Sequence, residues 1–133
     1  MLNNTVPIKA NKYFQLVGFV YCASDESKPT PVYVVVGGKA VLQCGCESSS
    51  LTWDVDNIGS WVIIADGGDS LDESKYSTYK NPSTGLYYRL HILNVGVSDI
   101  KKYRCEGNVN NMIQTFVLQL ILIGRCYCIL VIL

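Results

Sequence analysis

A single histidine, His91, stands in a chain of 133 residues, and no serine or cysteine has a local context that would activate it. One exposed imidazole cannot make a triad alone, so the sequence offers no nucleophilic triad to point to. No G-x-G-x-x-G run or phosphate loop occurs, and Gly67-Gly68 reads as a turn. An excess of one charge is also missing: 11 basic residues face 11 acidic ones. No net field therefore argues for nucleic acid or for an anionic membrane surface. No amphipathic helix longer than two turns can be drawn. The Leu71–Lys80 stretch is too short and too polar to bury a helical face. The sequon Asn81-Pro82-Ser83 is blocked by its proline, and Asn3-Asn4-Thr5 falls in the stretch read below as a leader, so no N-glycosylation acceptor is expected in the mature region.

What is there is strand-and-turn material. Val, Ile, Tyr and Leu dominate the middle of the chain, broken every few residues by Gly, Asn, Asp and Ser. β-Branched and aromatic side chains suit a pleated, half-buried surface. The length fits one domain with short extensions and leaves little room for a second core. Hydrophobic residues reach 49%, and the excess gathers at the two ends.

Residues 1–23 read as a secretory signal peptide. Lys9 and Lys12 precede the apolar stretch from Tyr13 to Ala23, and the polar run Ser24-Asp25-Glu26-Ser27 follows. Gln15 interrupts that core, and an extra N-terminal strand is the competing reading. Cleavage after Ala23 would discard Cys22. Residues 24–30 would be a linker and 31–123 the domain. Residues 124–133 form an apolar tail, a candidate truncated membrane anchor. Its run Cys126-Tyr127-Cys128-Ile129-Leu130-Val131-Ile132-Leu133 is too short to span a bilayer by itself.

Two cysteines organise the middle. In Gly37-Gly38-Lys39-Ala40-Val41-Leu42-Gln43-Cys44, Ala40, Leu42 and Cys44 alternate onto one face. Nine residues later Trp53 sits in the alternating run Leu51-Thr52-Trp53-Asp54-Val55. Downstream, Leu90-His91-Ile92 leads through Val95 and Asp99 to Tyr103-Arg104-Cys105. The spacing L-x-I-x-x-V-x-x-x-D-x-x-x-Y-x-C, with G-x-x-A-x-L-x-C and an intervening Trp, resembles the signature of the immunoglobulin superfamily over residues 31–123.

That resemblance implies an all-β fold, an immunoglobulin-like antiparallel Greek-key sandwich of two sheets. It implies a Cys44–Cys105 disulfide between the sheets, with Trp53 packed on the sulfurs and Leu90 in the core. Tyr103 would form the tyrosine corner, and Asp99 would pair with Lys75. Closing a loop of this size stabilises a domain by about 4 kcal/mol on the chain-entropy estimate. The pattern departs from the family in places. The Cys44-to-Trp53 interval is short, Lys101 stands where a small residue is usual, and no F-G-x-G follows Cys105. Room for an extra hairpin around Ser60–Asp66 suggests a variable-like or intermediate arrangement.

Cys46 lies on the same strand face as Cys44, and pairing with Cys126, pairing with Cys128, or a free thiol all remain open. Cys44, Cys46, Cys105 and His91 do not fall in the tight pairs that zinc needs. Asp66, Asp69, Asp72 and Glu73 do not have the regular spacing of a calcium loop and read as a solvated turn. No metal or cofactor is implied. His91, between Leu90 and Ile92, should point to solvent. Two candidate binding surfaces follow from the resemblance. Trp61, alternating with Ile63, either packs into the core or stands where variable domains place an aromatic that meets a partner domain. The loop 107–112, with Asn108, Asn110 and Asn111, is polar, turn-rich and carried at the end of a rigid scaffold. The expectation is a non-catalytic, secreted or cell-surface recognition module for a protein ligand or receptor, whose partner could be another immunoglobulin-like domain, in adhesion or immune-type surveillance. The membrane would be met only through the tail. The alternative is a spacer domain of a truncated receptor.

Overall fold

The computed structural model describes residues 27–123. The signal-peptide and tail segments lie outside them. The described chain is all-β apart from one 3-10 turn at Val97–Asp99. The strands, in order, are β1 (Thr30–Val35), β2 (Ala40–Ser48), β3 (Thr52–Asn57), β4 (Ser60–Asp66), β5 (Asp69–Ser70), β6 (Tyr76–Lys80), β7 (Tyr87–Ile92), β8 (Lys102–Val109) and β9 (Met112–Ile123). They form two sheets, a larger one in the order β1-β9-β8-β3-β4-β5 and a smaller one in the order β2-β7-β6.

Alternation makes the core. Along β2, Ala40, Leu42, Cys44 and Cys46 are buried while Val41, Gln43 and Gly45 are not, so one face turns inward. Leu90 and Ile92 of β7 lie beside them, since Leu42 pairs with Leu90 and Ala40 with Ile92. The larger sheet contributes Trp53, Tyr103, Cys105, Leu118 and Leu120, all almost wholly buried. Each large side chain withdrawn from water in this way contributes about 1.5–3 kcal/mol. Val34 and Leu51 close the ends of the same cluster.

The pairings are antiparallel as expected, with one exception. β1 runs parallel to β9, Thr30 beside Leu118 and Val35 beside Ile123. No hairpin joins these two strands. β1 passes instead through the Gly37-Gly38 turn into the other sheet, so no antiparallel return is imposed on it. The turn is tied by Gly37 N–H to the Val95 carbonyl and by Gly38 N–H to the Val35 carbonyl.

Two tight hairpins shape the larger sheet. β8 and β9 are joined by Asn110 and Asn111 alone, both in the left-handed region (φ 54° and 63°). Two consecutive positive φ values are the mark of a type I′ turn, which asparagine tolerates. β3 and β4 are joined by Ile58 and Gly59 with φ 52° and 84°. Isoleucine is ill suited to that geometry because its branched Cβ crowds the backbone. At the base of the β8–β9 hairpin, a Cβ on Gly107 would come within 2.9 Å of Ser48 Cβ and 3.1 Å of Leu51 Cδ1. Glycine there lets β8 close on the short β2–β3 connection.

Candidate functional site

The residues of the sequence signature sit together between the sheets. Cys44 and Cys105 form a disulfide with a Cα–Cα separation of 6.0 Å. Trp53 is the register partner of Cys105 and is buried beside it. The Tyr103 hydroxyl donates to the Asp99 carbonyl at 2.7 Å. Burial pushes the Tyr103 phenol well above its ordinary range, with Asp99 and Tyr76 adding to the effect. Lys75 Nζ lies 2.8 Å from Asp99 Oδ2, which also accepts the Gly96 N–H at 2.8 Å. Lys75 reaches the Asn94 carbonyl as well, at 3.2 Å. Leu90 is fully buried. The disulfide ties the two sheets together, and the Lys75–Asp99 pair fastens the loop before β6 to the 3-10 turn before β8.

The outer face of the larger sheet is different. Tyr103 and Cys105 point inward, so Arg104 between them points outward; Trp53 points inward, so Asp54 points outward. Asp54 pairs with Arg104 across β3 and β8. Its Oδ2 accepts from Arg104 Nε at 3.0 Å and also from Nη2. The Arg104 guanidinium lies 4.5 Å from the ring centroid of Trp61 on β4. A cation held over an indole face is attracted by the ring quadrupole, so the stack fixes both side chains. Trp61 is half-buried in this stack and belongs to the outer face, not to the core. Ile63, on the same face, is exposed. Ile58 at the tip of the β3–β4 hairpin is 100% exposed.

The second candidate surface is the β8–β9 hairpin. Asn108, Asn110, Asn111, Met112 and Ile113 are all exposed. The Asn108 backbone meets Ser48 Oγ on β2 at 3.4 Å, which anchors the base of the hairpin. The hairpin tip and Trp61 are not brought together. Val109 lies five residues from Arg104 along β8, roughly 17 Å away. The two surfaces occupy different ends of one sheet.

His91 departs from expectation. It alternates with Leu90 and Ile92, yet only 9% of it is exposed. The Tyr79 ring lies 4.1 Å from its own, so an aromatic neighbour on β6 covers the outer face there. Its Nε2 is buried with no hydrogen-bond partner among the described residues. Burial holds the imidazole below its ordinary range, and Lys39 and Arg89 push in the same direction. Among the acids of the 66–73 turn, Asp72 Oδ1 accepts from both the N–H and the hydroxyl of Ser74, at 3.0 and 2.6 Å. Those bonds hold its carboxyl below the usual range.

Three residues of the outer face escape a reading of the sequence. Asp54 and Arg104 were legible only as the residues flanking Trp53 and Cys105, and nothing in one dimension says that they meet. Ile58 had a usable signal, since Ile58-Gly59 separates two alternating runs at hairpin spacing. Among the described residues no helix is long and apolar enough to cross a membrane. Compared with known proteins, the sequence matches no family model and no curated protein.

Proposed function

We propose that this chain is an immunoglobulin-like Greek-key recognition module that works outside the cell and binds a protein partner through the outer face of its larger sheet. The observation that carries the reading is the stack of Trp61 on Arg104, itself clamped by Asp54, with Ile63 and Ile58 exposed nearby. An aromatic and an arginine pre-ordered on a sheet surface are the residue types that dominate binding hot spots. Pre-ordering also lowers the entropy lost on association. The immunoglobulin-like assignment is supported by the two-sheet order and by the disulfide, Trp53 and Tyr103 arrangement. A disulfide is compatible with an oxidising, extracellular location.

The test uses the full chain, secreted from a cultured cell, tagged and multimerised, and applied to a panel of intact cells. Saturable binding that disappears when the cells are pretreated with protease is the expected result. Trp61→Ala should weaken it tenfold or more. Asn110→Gly with Asn111→Gly keeps the turn while removing both side chains, and reports on the hairpin separately. Leu71→Ser removes an exposed apolar side chain elsewhere and should leave binding unchanged. Binding insensitive to Trp61 and to the hairpin would overturn the assignment. A chain that folds but binds no cell would favour a spacer domain.

A further inference from the structure

We propose that the outer face of the smaller sheet, on the opposite side of the sandwich from Trp61, is a second binding site, which takes a sulfated polysaccharide on Lys39, Arg89 and Tyr79.

Strand register lays the site out. Val41, His91 and Ser77 stand side by side across β2, β7 and β6, and Gln43, Arg89 and Tyr79 form the next row. Ala40, Leu42, Leu90 and Ile92 point inward from the same sheet, so these six side chains point outward. Lys39, just ahead of β2, is exposed and continues the line of Val41 and Gln43. Extended-chain spacing puts its Cα about 8 Å from that of His91 and about 14 Å from that of Arg89.

The charge on this face is one-sided. Lys39 and Arg89 are both cationic, and neither meets a carboxylate among the described residues. On the larger sheet, by contrast, Arg104 is neutralised by Asp54. The Arg89 guanidinium lies 4.7 Å from the Tyr88 ring centroid, a stack that steadies it without cancelling its charge. Its Nε is buried with no hydrogen-bond partner among the described residues, and an arginine N–H can only donate. A buried donor left unpaired is costly, and the group that pairs best with it is an anionic acceptor. Arg89 as a whole is half-exposed, so an oxyanion can approach its fork. His91 Nε2, two residues along the same face, is likewise buried and without a partner among the described residues. The acids at the two ends are already engaged. Glu47, four residues beyond Gln43 on β2, accepts from Asn81 Nδ2 at 3.0 Å and from Thr84 Oγ1 at 2.8 Å. Asp99 at the other end is bound to Lys75.

The layout selects the ligand. Lys39 and Arg89 are about 14 Å apart, a span that an extended polyanion bridges and a single phosphate does not. Gln43 and Ser77 add hydrogen-bonding groups to the strip. The Tyr79 ring, 44% exposed where it lies against His91, offers an amphipathic surface on which a sugar ring can rest. The planar guanidinium fork suits the paired oxygens of a sulfate, and lysine adds a point charge. Val41 is the one aliphatic side chain in the two rows, too little apolar surface to enter a lipid layer. Sulfated polysaccharide is the polyanion met outside the cell, the setting that the proposed function shares.

The purified full chain is titrated with heparin and, in parallel, with fully desulfated heparin, phosphatidylserine vesicles and single-stranded DNA. Saturable binding to heparin that weakens with added salt, and none to the desulfated polymer, is the expected result. Lys39→Gln should weaken it about fivefold and Arg89→Gln about tenfold. Tyr79→Ala should weaken it while leaving its salt dependence unchanged. Lys102→Gln removes an equal charge from the other sheet and should change nothing, and Trp61→Ala should also leave heparin binding intact. Retention of the Cys44–Cys105 bond and of the thermal transition certifies that each variant is folded. Lys39 is exposed, so Lys39→Gln keeps the test decisive if Arg89→Gln unfolds. Absence of heparin binding, an equal loss in Lys102→Gln, or tighter binding to vesicles or DNA would each overturn the site. Heparin binding retained in Trp61→Ala while cell binding is lost is the signature of two independent surfaces.

Discussion

Replacing Ile58 by asparagine should make this domain more stable while removing an exposed apolar side chain. Ile58 sits at φ 52° in a two-residue turn, with Gly59 at φ 84°. Holding an ordinary L-residue in the left-handed region costs roughly 1–2 kcal/mol, and a β-branched one is at the unfavourable end. Asparagine tolerates that region, and Asn-Gly is the preferred pair for a type I′ hairpin. Ile58 is fully exposed, so its removal sacrifices no burial. The bond that ties the turn, Gly59 N–H to Asp56 Oδ1 at 2.9 Å, involves neither its side chain nor its backbone polar groups. The expected gain is about 1 kcal/mol, or a rise in Tm of roughly 4–8 °C for a domain of this size. Reversible denaturant unfolding with the disulfides intact measures it, and the slope against denaturant should not change. Unchanged or reduced stability would mean that the turn is not strained as argued. The same variant separates two roles. If Ile58 also touches a partner, affinity falls as stability rises, a combination that misfolding cannot produce.

Three further outcomes follow from particular contacts. Tyr103→Phe deletes the buried hydroxyl bond to the Asp99 carbonyl and should cost about 1–3 kcal/mol in equilibrium unfolding, without loss of the Cys44–Cys105 bond. Arg104→Gln leaves the Asp54 carboxylate buried on the outer face without its cation and should cost about 3 kcal/mol, the low end for a broken pair because Arg104 keeps some exposure; a neutral result would show that the pair is solvent-screened. His91 is held below its ordinary value of about 6.5, so the unfolded chain binds the proton more readily than the folded one. Stability should therefore be full above that value and should fall as the pH drops through it towards the folded pKa. His91→Gln should flatten the profile below about pH 6.5, and an equally steep profile in the variant would assign the dependence to other groups.

The inward half of the molecule was legible and the outward half was not, for a physical reason. Ala40, Leu42 and Cys44 repeat with period two, and burial of one face is what that period encodes. Tyr103 and Cys105 belong to the same pattern on β8. Outward residues obey no such constraint: Arg104 is simply the residue between two inward ones, and its meeting with Asp54, 50 positions earlier, depends on strand pairing that no local signal fixes. His91 shows the limit from the other side. Alternation correctly turned it away from Leu90 and Ile92, yet period two says nothing about whether a neighbouring strand will lay an aromatic ring on it. The parallel pairing of β1 with β9 is equally silent in sequence, because the strands are joined through the other sheet and share no turn.

The dependence of one half on the other bears on how the proposed surface can be tested. The register that sends Tyr103 and Cys105 inward forces Arg104 outward, and the one that buries Trp53 forces Asp54 outward. The stack on Trp61 is therefore placed by the core and also stabilises the sheet that carries it. A single substitution in the stack mixes lost contact with lost stability. Substituting the three outward residues together avoids this: Asp54→Val, Arg104→Thr and Trp61→Thr replace the clamp with strand-forming side chains and leave no buried charge unpaired. Such a chain should retain the Cys44–Cys105 bond and cooperative unfolding. If it still bound its cells, the outer face would be structural, and recognition would have to lie at the β8–β9 hairpin end, which the register of the core does not compel to be anything but a tight turn.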